Sequence, residues 1–233
     1  MNNWIAAGIT LGLCLAWLRL MDYAAHRGWI ESRLSRKIIH IGTGPLFVLC
    51  WLMFDNSFQA SLLAATIPLL ITIQFALIGL GVIKDEASVQ AMSRTGDRRE
   101  ILRGPLFYGI VFVALTILYW KTSPIGMTAL LIMCGGDGIA DVVGRRIPSP
   151  KLPWSREKSV AGMVSVLVGG FLLSIFILWI YVSVRALPGP FAGYLVPVLI
   201  LTLVAAVVES LPFHDIDNLT VAIAAALIGH LVF

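Results

Sequence analysis

The chain has 233 residues, 58% of them hydrophobic and 13% charged, with a mean hydropathy of +0.90. That balance excludes an ordinary soluble domain and fits a single all-α, polytopic membrane domain over 1–233, with room for seven or eight spans of about 20 residues each. The net charge of +4 suits phosphate-bearing or anionic-lipid partners. No basic strip interleaved with aromatics marks a nucleic-acid groove, so no nucleic-acid partner is expected.

In chain order, apolar segments bounded by charge, Pro, Gly or Asn predict about eight spans, near 3–20, 38–54, 58–83, 104–120, 124–143, 160–184, 190–208 and 219–233. The last is short for a bilayer core, so seven spans are the alternative. The first carries Gly8-x-x-x-Gly12, expected to pack helices, and looks like a retained span rather than a cleaved signal. Cys14, Cys50 and Cys134 all lie in apolar runs and form no CxxC. Inert buried thiols are expected rather than a disulfide framework or a zinc site.

Charge fixes the expected orientation. The loops after the first, third and fifth spans hold fifteen of the seventeen Lys and Arg, leaving Lys121 and Arg185 to the other connections. Basic loops lie on the inner side, which puts both termini on the non-cytoplasmic side of an eight-span chain. The polar signals at span ends then share the inner boundary, where a soluble co-substrate and a lipid can meet. A prokaryotic cytoplasmic (inner) membrane with the site facing the cytoplasm is the expectation.

The most informative stretch is Gly135-Gly136-Asp137-Gly138-Ile139-Ala140-Asp141, followed by Val142-Val143-Gly144-Arg145-Arg146. Carboxylates four apart share one helix face. Ionised Asp inside a membrane helix is costly, so Asp137 and Asp141 are candidate ligands of a hard cation. The bland reading, a helix-end ion cluster with Arg145 and Arg146, leaves the three crowded glycines unexplained.

Four further stretches carry candidate chemistry. Arg36-Lys37-Ile38-Ile39-His40 opens the second span ahead of Gly42-Thr43-Gly44-Pro45; positive-inside anchoring and a satisfied core His compete there with function. Arg98-Arg99-Glu100-Ile101-Leu102-Arg103-Gly104-Pro105-Leu106-Phe107-Tyr108 sets arginines at a helix start, an anion site or a solvated charge run. Between Ile147 and Gly162, prolines hold the chain extended, and Lys158-Ser159 opens the sixth span in a manner suited to phosphate. No GxxxxGK[ST] occurs, which excludes a P-loop. Finally, Glu209-Ser210 and Asp217-Asn218-Leu219-Thr220 flank a loop that also contains His214 and Asp215. Asp217 or Asn218 would suffice as a helix cap, but Glu209 needs another account. Facing Asp137 and Asp141, it would complete an oxygen-ligand site for Mg²⁺.

This ordered set resembles the phytol kinase and polyprenol (dolichol) kinase family, which includes CTP-dependent diacylglycerol kinases. The resemblance rests on Arg36-Lys37-x-x-His40, Glu100-x-x-Arg103-Gly104-Pro105-Leu106-x-Tyr108, Gly136-Asp137-x-x-Ala140-Asp141-x-x-Gly144-Arg145, Lys158-Ser159-x-x-Gly162 and Glu209-Ser210 with Asp217-Asn218-Leu219-Thr220. The Arg-Gly-Pro-Leu and Asp-Asn-Leu-Thr stretches look most like the phytol kinase branch. Ala161 stands where relatives often carry Glu, which removes any carboxylate role at that position.

The resemblance implies an integral membrane enzyme that moves the γ-phosphate of CTP, or UTP, to a prenyl lipid alcohol such as phytol, with Mg²⁺. It implies Asp137, Asp141 and Glu209 at the metal, and Lys37, Arg103, Arg145, Lys158, Ser159, Asp217 and Asn218 at the nucleotide. The alcohol's proton would go to His40, Asp137 or Asp141. A homodimer is compatible with the sequence. A CDP-lipid synthase resembling phosphatidate cytidylyltransferases is the alternative enzyme, and a small cation-coupled transporter the alternative outside catalysis.

Overall fold

The computed structural model describes residues 1–93, 95–212 and 216–233, without the side chains of Ser32, Arg33 and Arg145. Each apolar segment expected from the sequence coincides with a helix. A helix satisfies its own backbone groups, which lipid cannot do. The chain forms two compact units, Met1–Ile117 and Leu118–Phe233.

Unit one contains α1 (Asn3–His26), α2 (Ser32–Cys50), α3 (Phe58–Leu80), a short α4 (Glu86–Met92), a 3-10 segment Arg98–Leu102, and α5 (Gly104–Leu118). Its core joins Ile39, Ile78, Met92 and Ile101, with Leu18, Met21, Phe75 and Val89 packed around them. Within the chain, a Cβ at Gly8 or Gly12 would meet nothing within 4 Å.

Unit two contains α6 (Pro124–Ile132), a π-turn Met133–Asp137, α7 (Gly138–Arg146), β1 (Lys151–Leu152), β2 (Ser155–Ser159), α8 (Val160–Ser183), a 3-10 turn Phe191–Tyr194, α9 (Leu195–Ser210) and α10 (Asp217–Val232). Here α8 packs against α6, α7 and α9, and α10 against α6 and α9. Met127, Leu130, Ile132, Met133 and Cys134 are fully buried, making α6 and the π-turn the centre of the unit. The outward stripe Val164, Val168, Leu172 and Phe176 on α8 is the face offered to lipid.

Among the described residues, six helices are long and apolar enough to cross a membrane: Asn3–His26, Phe58–Leu80, Arg98–Leu118, Pro124–Gly144, Val160–Ser183 and Phe191–Ser210. The other two expected spans correspond to α2, whose first half is polar, and to α10, which has 16 residues. At about 1.5 Å per residue α10 reaches about 24 Å, short of a bilayer core of about 30 Å.

The glycines before Asp137 have a packing cause. A Cβ on Gly135 would stand 2.7 Å from Leu173 Cδ2 and 3.2 Å from the Gly169 carbonyl, and one on Gly136 would stand 3.0 Å from Val166 Cγ1. The π-turn therefore lies almost backbone to backbone on α8. Such turns often mark functional sites, because the inserted residue re-aims the side chains beside it. One local expectation needs correction. Lys158 lies in β2 rather than at a helix start, and the proline-rich loop closes as an antiparallel hairpin that pairs Leu152 with Ser155 and Lys151 with Ser159.

Candidate functional site

Three helices of unit two deliver one carboxylate each to the same point. Asp137 ends the π-turn, Glu209 is the penultimate residue of α9, and Asp217 is the first residue of α10. One oxygen from each lies within 4.8 Å of the others. The acidic group is thus built across helices, and Asp141, one turn further along α7, is not a member of it.

Lys158 enters the group from the hairpin. Its Nζ forms a close ion pair with Glu209 and lies 3.8 Å from Asp217 Oδ2. Burial alone would depress the lysine's pKa; the Glu209 carboxylate, helped by Asp217 and Asp137, more than offsets it and holds the pKa above the ordinary lysine value. The ammonium therefore stays charged at physiological pH. Three carboxylates against one ammonium leave a formal excess of two negative charges when all are ionised.

Glu209 is 4% exposed, and its Oε2 atom finds no hydrogen-bond partner among the described residues. A buried carboxylate oxygen without a partner is expensive. An all-oxygen donor set with an orphaned buried carboxylate oxygen fits a hard divalent cation such as Mg²⁺.

The remaining expected residues fall as follows. Ser159 is buried and caps α8, its Oγ accepting the Gly162 amide at 3.2 Å. Asn218 is buried beside Asp217, and its backbone N–H donates to Asp217 Oδ1 at 3.1 Å. The side chain of Arg145, and His214 and Asp215, lie outside the described residues. His40, Lys37 and Arg103 belong to unit one. There Tyr108 donates its hydroxyl to the His40 carbonyl at 2.7 Å, and the two rings stand 4.4 Å apart. Pro45 inside α2 has no N–H for the Ile41 carbonyl one turn back.

Sequence reasoning missed Trp154, whose indole N–H donates to Ser210 Oγ at 3.0 Å beside Glu209. A lone tryptophan in a proline-rich loop carries no spacing signal for a partner 56 residues away.

No protein-family model matches the chain, and no solved structure matches it. Curated relatives do. The probable phytol kinase 3, chloroplastic, of Glycine max is 41% identical over 229 residues, 97% of this chain and 72% of the relative. The farnesol kinase, chloroplastic, of Arabidopsis thaliana is 39% identical over 230 residues, 98% and 75%. Phytol kinase 1, chloroplastic, of Arabidopsis thaliana is 39% identical over 225 residues, 96% and 74%.

These relatives are chloroplastic plant proteins, which overturns the expectation of a prokaryotic cytoplasmic membrane with a cytoplasm-facing site. The asymmetry of basic loops tells which loops share a side, and carries no information about which membrane they border. The multi-pass character stands. By identity and coverage, the chain belongs to the family of the plant phytol and farnesol kinases.

Proposed function

We propose that the chain is a single-domain kinase that phosphorylates a prenyl lipid alcohol, most simply phytol or farnesol, using CTP or UTP and Mg²⁺. The substrate class follows the names of the relatives. The observation that carries the chemistry is the convergence of Asp137, Glu209 and Asp217 around Lys158.

Phosphoryl transfer asks for charge neutralisation and in-line positioning more than for covalent help. Asp137, Glu209 and Asp217 would hold the cation, which when bound supplies positive charge against the triphosphate oxygens. Lys158 contributes a second positive charge at the rim of the same group. The alcohol oxygen attacks the γ-phosphorus, the bond to the β–γ bridging oxygen breaks, and a nucleoside diphosphate leaves. The hydroxyl proton passes to a carboxylate of the group. Arg145 is assigned to phosphate oxygens on the family resemblance, as is Asn218 to the nucleotide.

The test is label transfer from γ-labelled CTP, and separately UTP, to phytol and farnesol in membranes holding wild-type or Asp137→Asn protein at equal level. The substitution should lower transfer at least about a hundredfold, equivalent to about 2.7 kcal/mol. Wild-type transfer by Asp137→Asn would overturn the assignment. Release of pyrophosphate in place of a nucleoside diphosphate would overturn the kinase reading.

A further inference from the structure

We propose that Trp154 is a positioning residue: its indole N–H, donated to Ser210 Oγ, clamps the tip of the β1–β2 hairpin to the end of α9 and so holds Lys158 against Glu209. The inference rests on the kinase reading for its consequence, and on the geometry of the hairpin for its cause.

Leu152 pairs with Ser155 across a two-residue turn, Pro153-Trp154, while the next paired position joins Lys151 to Ser159. Arg156, Glu157 and Lys158 therefore bulge from the second strand with no counterpart on the first. A bulge bends its strand and re-aims a side chain. A two-stranded hairpin this short does not hold its shape unaided in water.

The hairpin is fastened at both ends. At its base, the Val160 amide donates to the Pro150 carbonyl at 3.0 Å and the Ala161 amide to Ser149 Oγ at 3.0 Å. At its tip, Trp154 reaches Ser210. Between them the bulge is braced by the Lys158 amide donating to Ser155 Oγ at 3.3 Å and by Lys151 Nζ donating to the Glu157 carbonyl at 2.9 Å.

The two side chains that leave the hairpin grip consecutive residues of α9, Lys158 on Glu209 and Trp154 on Ser210. Ser210 is 2% exposed and spends its own proton on the Val207 carbonyl at 2.6 Å, which leaves a lone pair for the indole. Trp154 is 51% exposed, so ring burial does not hold the tip. A tryptophan that only anchored the membrane interface would use its ring and not need this acceptor.

The experiment uses the full chain in lipid vesicles, with Trp154→Phe, which keeps an aromatic ring but loses the donor, Ser210→Ala, and both together. Each single variant should raise KM for the nucleoside triphosphate about three- to tenfold, as expected for one hydrogen bond, with kcat and KM for the alcohol unchanged. The double variant should be no worse than the worse single one. Multiplying losses, equal effects on both substrates, or unaltered kinetics would overturn the clamp.

A second readout needs no catalysis. Trypsin cleavage within 151–158 should accelerate to the same extent in all three variants, and unchanged cleavage would overturn the clamp. A wild-type chain that cleaves normally but transfers no phosphate would instead sink the kinase reading.

Discussion

Lys158 and Glu209 pair across 51 residues of sequence, the first on a strand bulge and the second on the last turn of α9. Removing Lys158 would leave the buried Glu209 carboxylate without its counter-charge. The same ammonium reaches Asp217 at 3.8 Å. One lysine thus offsets part of the repulsion among three acids. The arrangement assigns distinct consequences to residues that look equivalent in the sequence.

Glu209 and Asp141 differ in this way. Glu209 belongs to the three-carboxylate group and Asp141 does not. Glu209→Gln keeps the shape and removes a ligand charge, so half-saturation by Mg²⁺ should move upward at least tenfold, about 1.4 kcal/mol. Asp141→Asn should move it less. Titration of chelated membranes with Mg²⁺ measures both, and a larger shift for Asp141→Asn would place the cation along α7 instead.

Ser159 offers a separate distinction. Its Oγ is taken by the Gly162 amide at the start of α8, and loss of such a cap costs about 1 kcal/mol of stability. Ser159→Ala should therefore lower the midpoint of thermal unfolding in detergent, while Ser159→Asp, which also caps, should restore it. If the hydroxyl instead served the phosphates, Ser159→Ala would raise KM for the nucleotide without moving the midpoint.

The helices were legible because apolar runs of about 20 residues have few other fates in lipid. Asp137 was legible because acids inside such runs are rare, and Glu209 because a cap role could not explain it. What spacing along one helix cannot reveal is convergence between helices. Asp137 and Asp141 share a face by periodicity, yet the cation-sized group draws on Glu209 and Asp217, whose helices begin and end far away in sequence. The hairpin was hidden for a different reason. Its paired positions, Leu152 with Ser155 and Lys151 with Ser159, are too few and too irregular to leave an alternating pattern. Gly8 and Gly12 face outward within this chain, so their spacing marks no close approach between its own helices.

Asp85 links local chemistry to pH. It caps α4, with Oδ1 accepting the Ser88 amide at 3.0 Å and Oδ2 accepting the Ser88 hydroxyl at 2.8 Å. Arg19 stands 4.0 Å away. Burial alone would raise the pKa of Asp85; the Ser88 amide and hydroxyl, the Arg19 guanidinium and the Ala87 amide more than offset it, and the pKa falls below the usual Asp value. A carboxyl whose pKa is lowered by folding adds stability that is fully present above its unfolded pKa of about 3.9 and disappears as pH falls through the folded value. Asp85→Ala should cost about 1 kcal/mol at neutral pH, the usual worth of a cap. The difference between wild type and variant should shrink as the pH falls from about 5 toward 3. Chemical unfolding followed by circular dichroism over that range measures it. A difference that grew on acidification would mean that the folded carboxyl binds its proton more readily than the unfolded one, and the cap would not be the source of its stability.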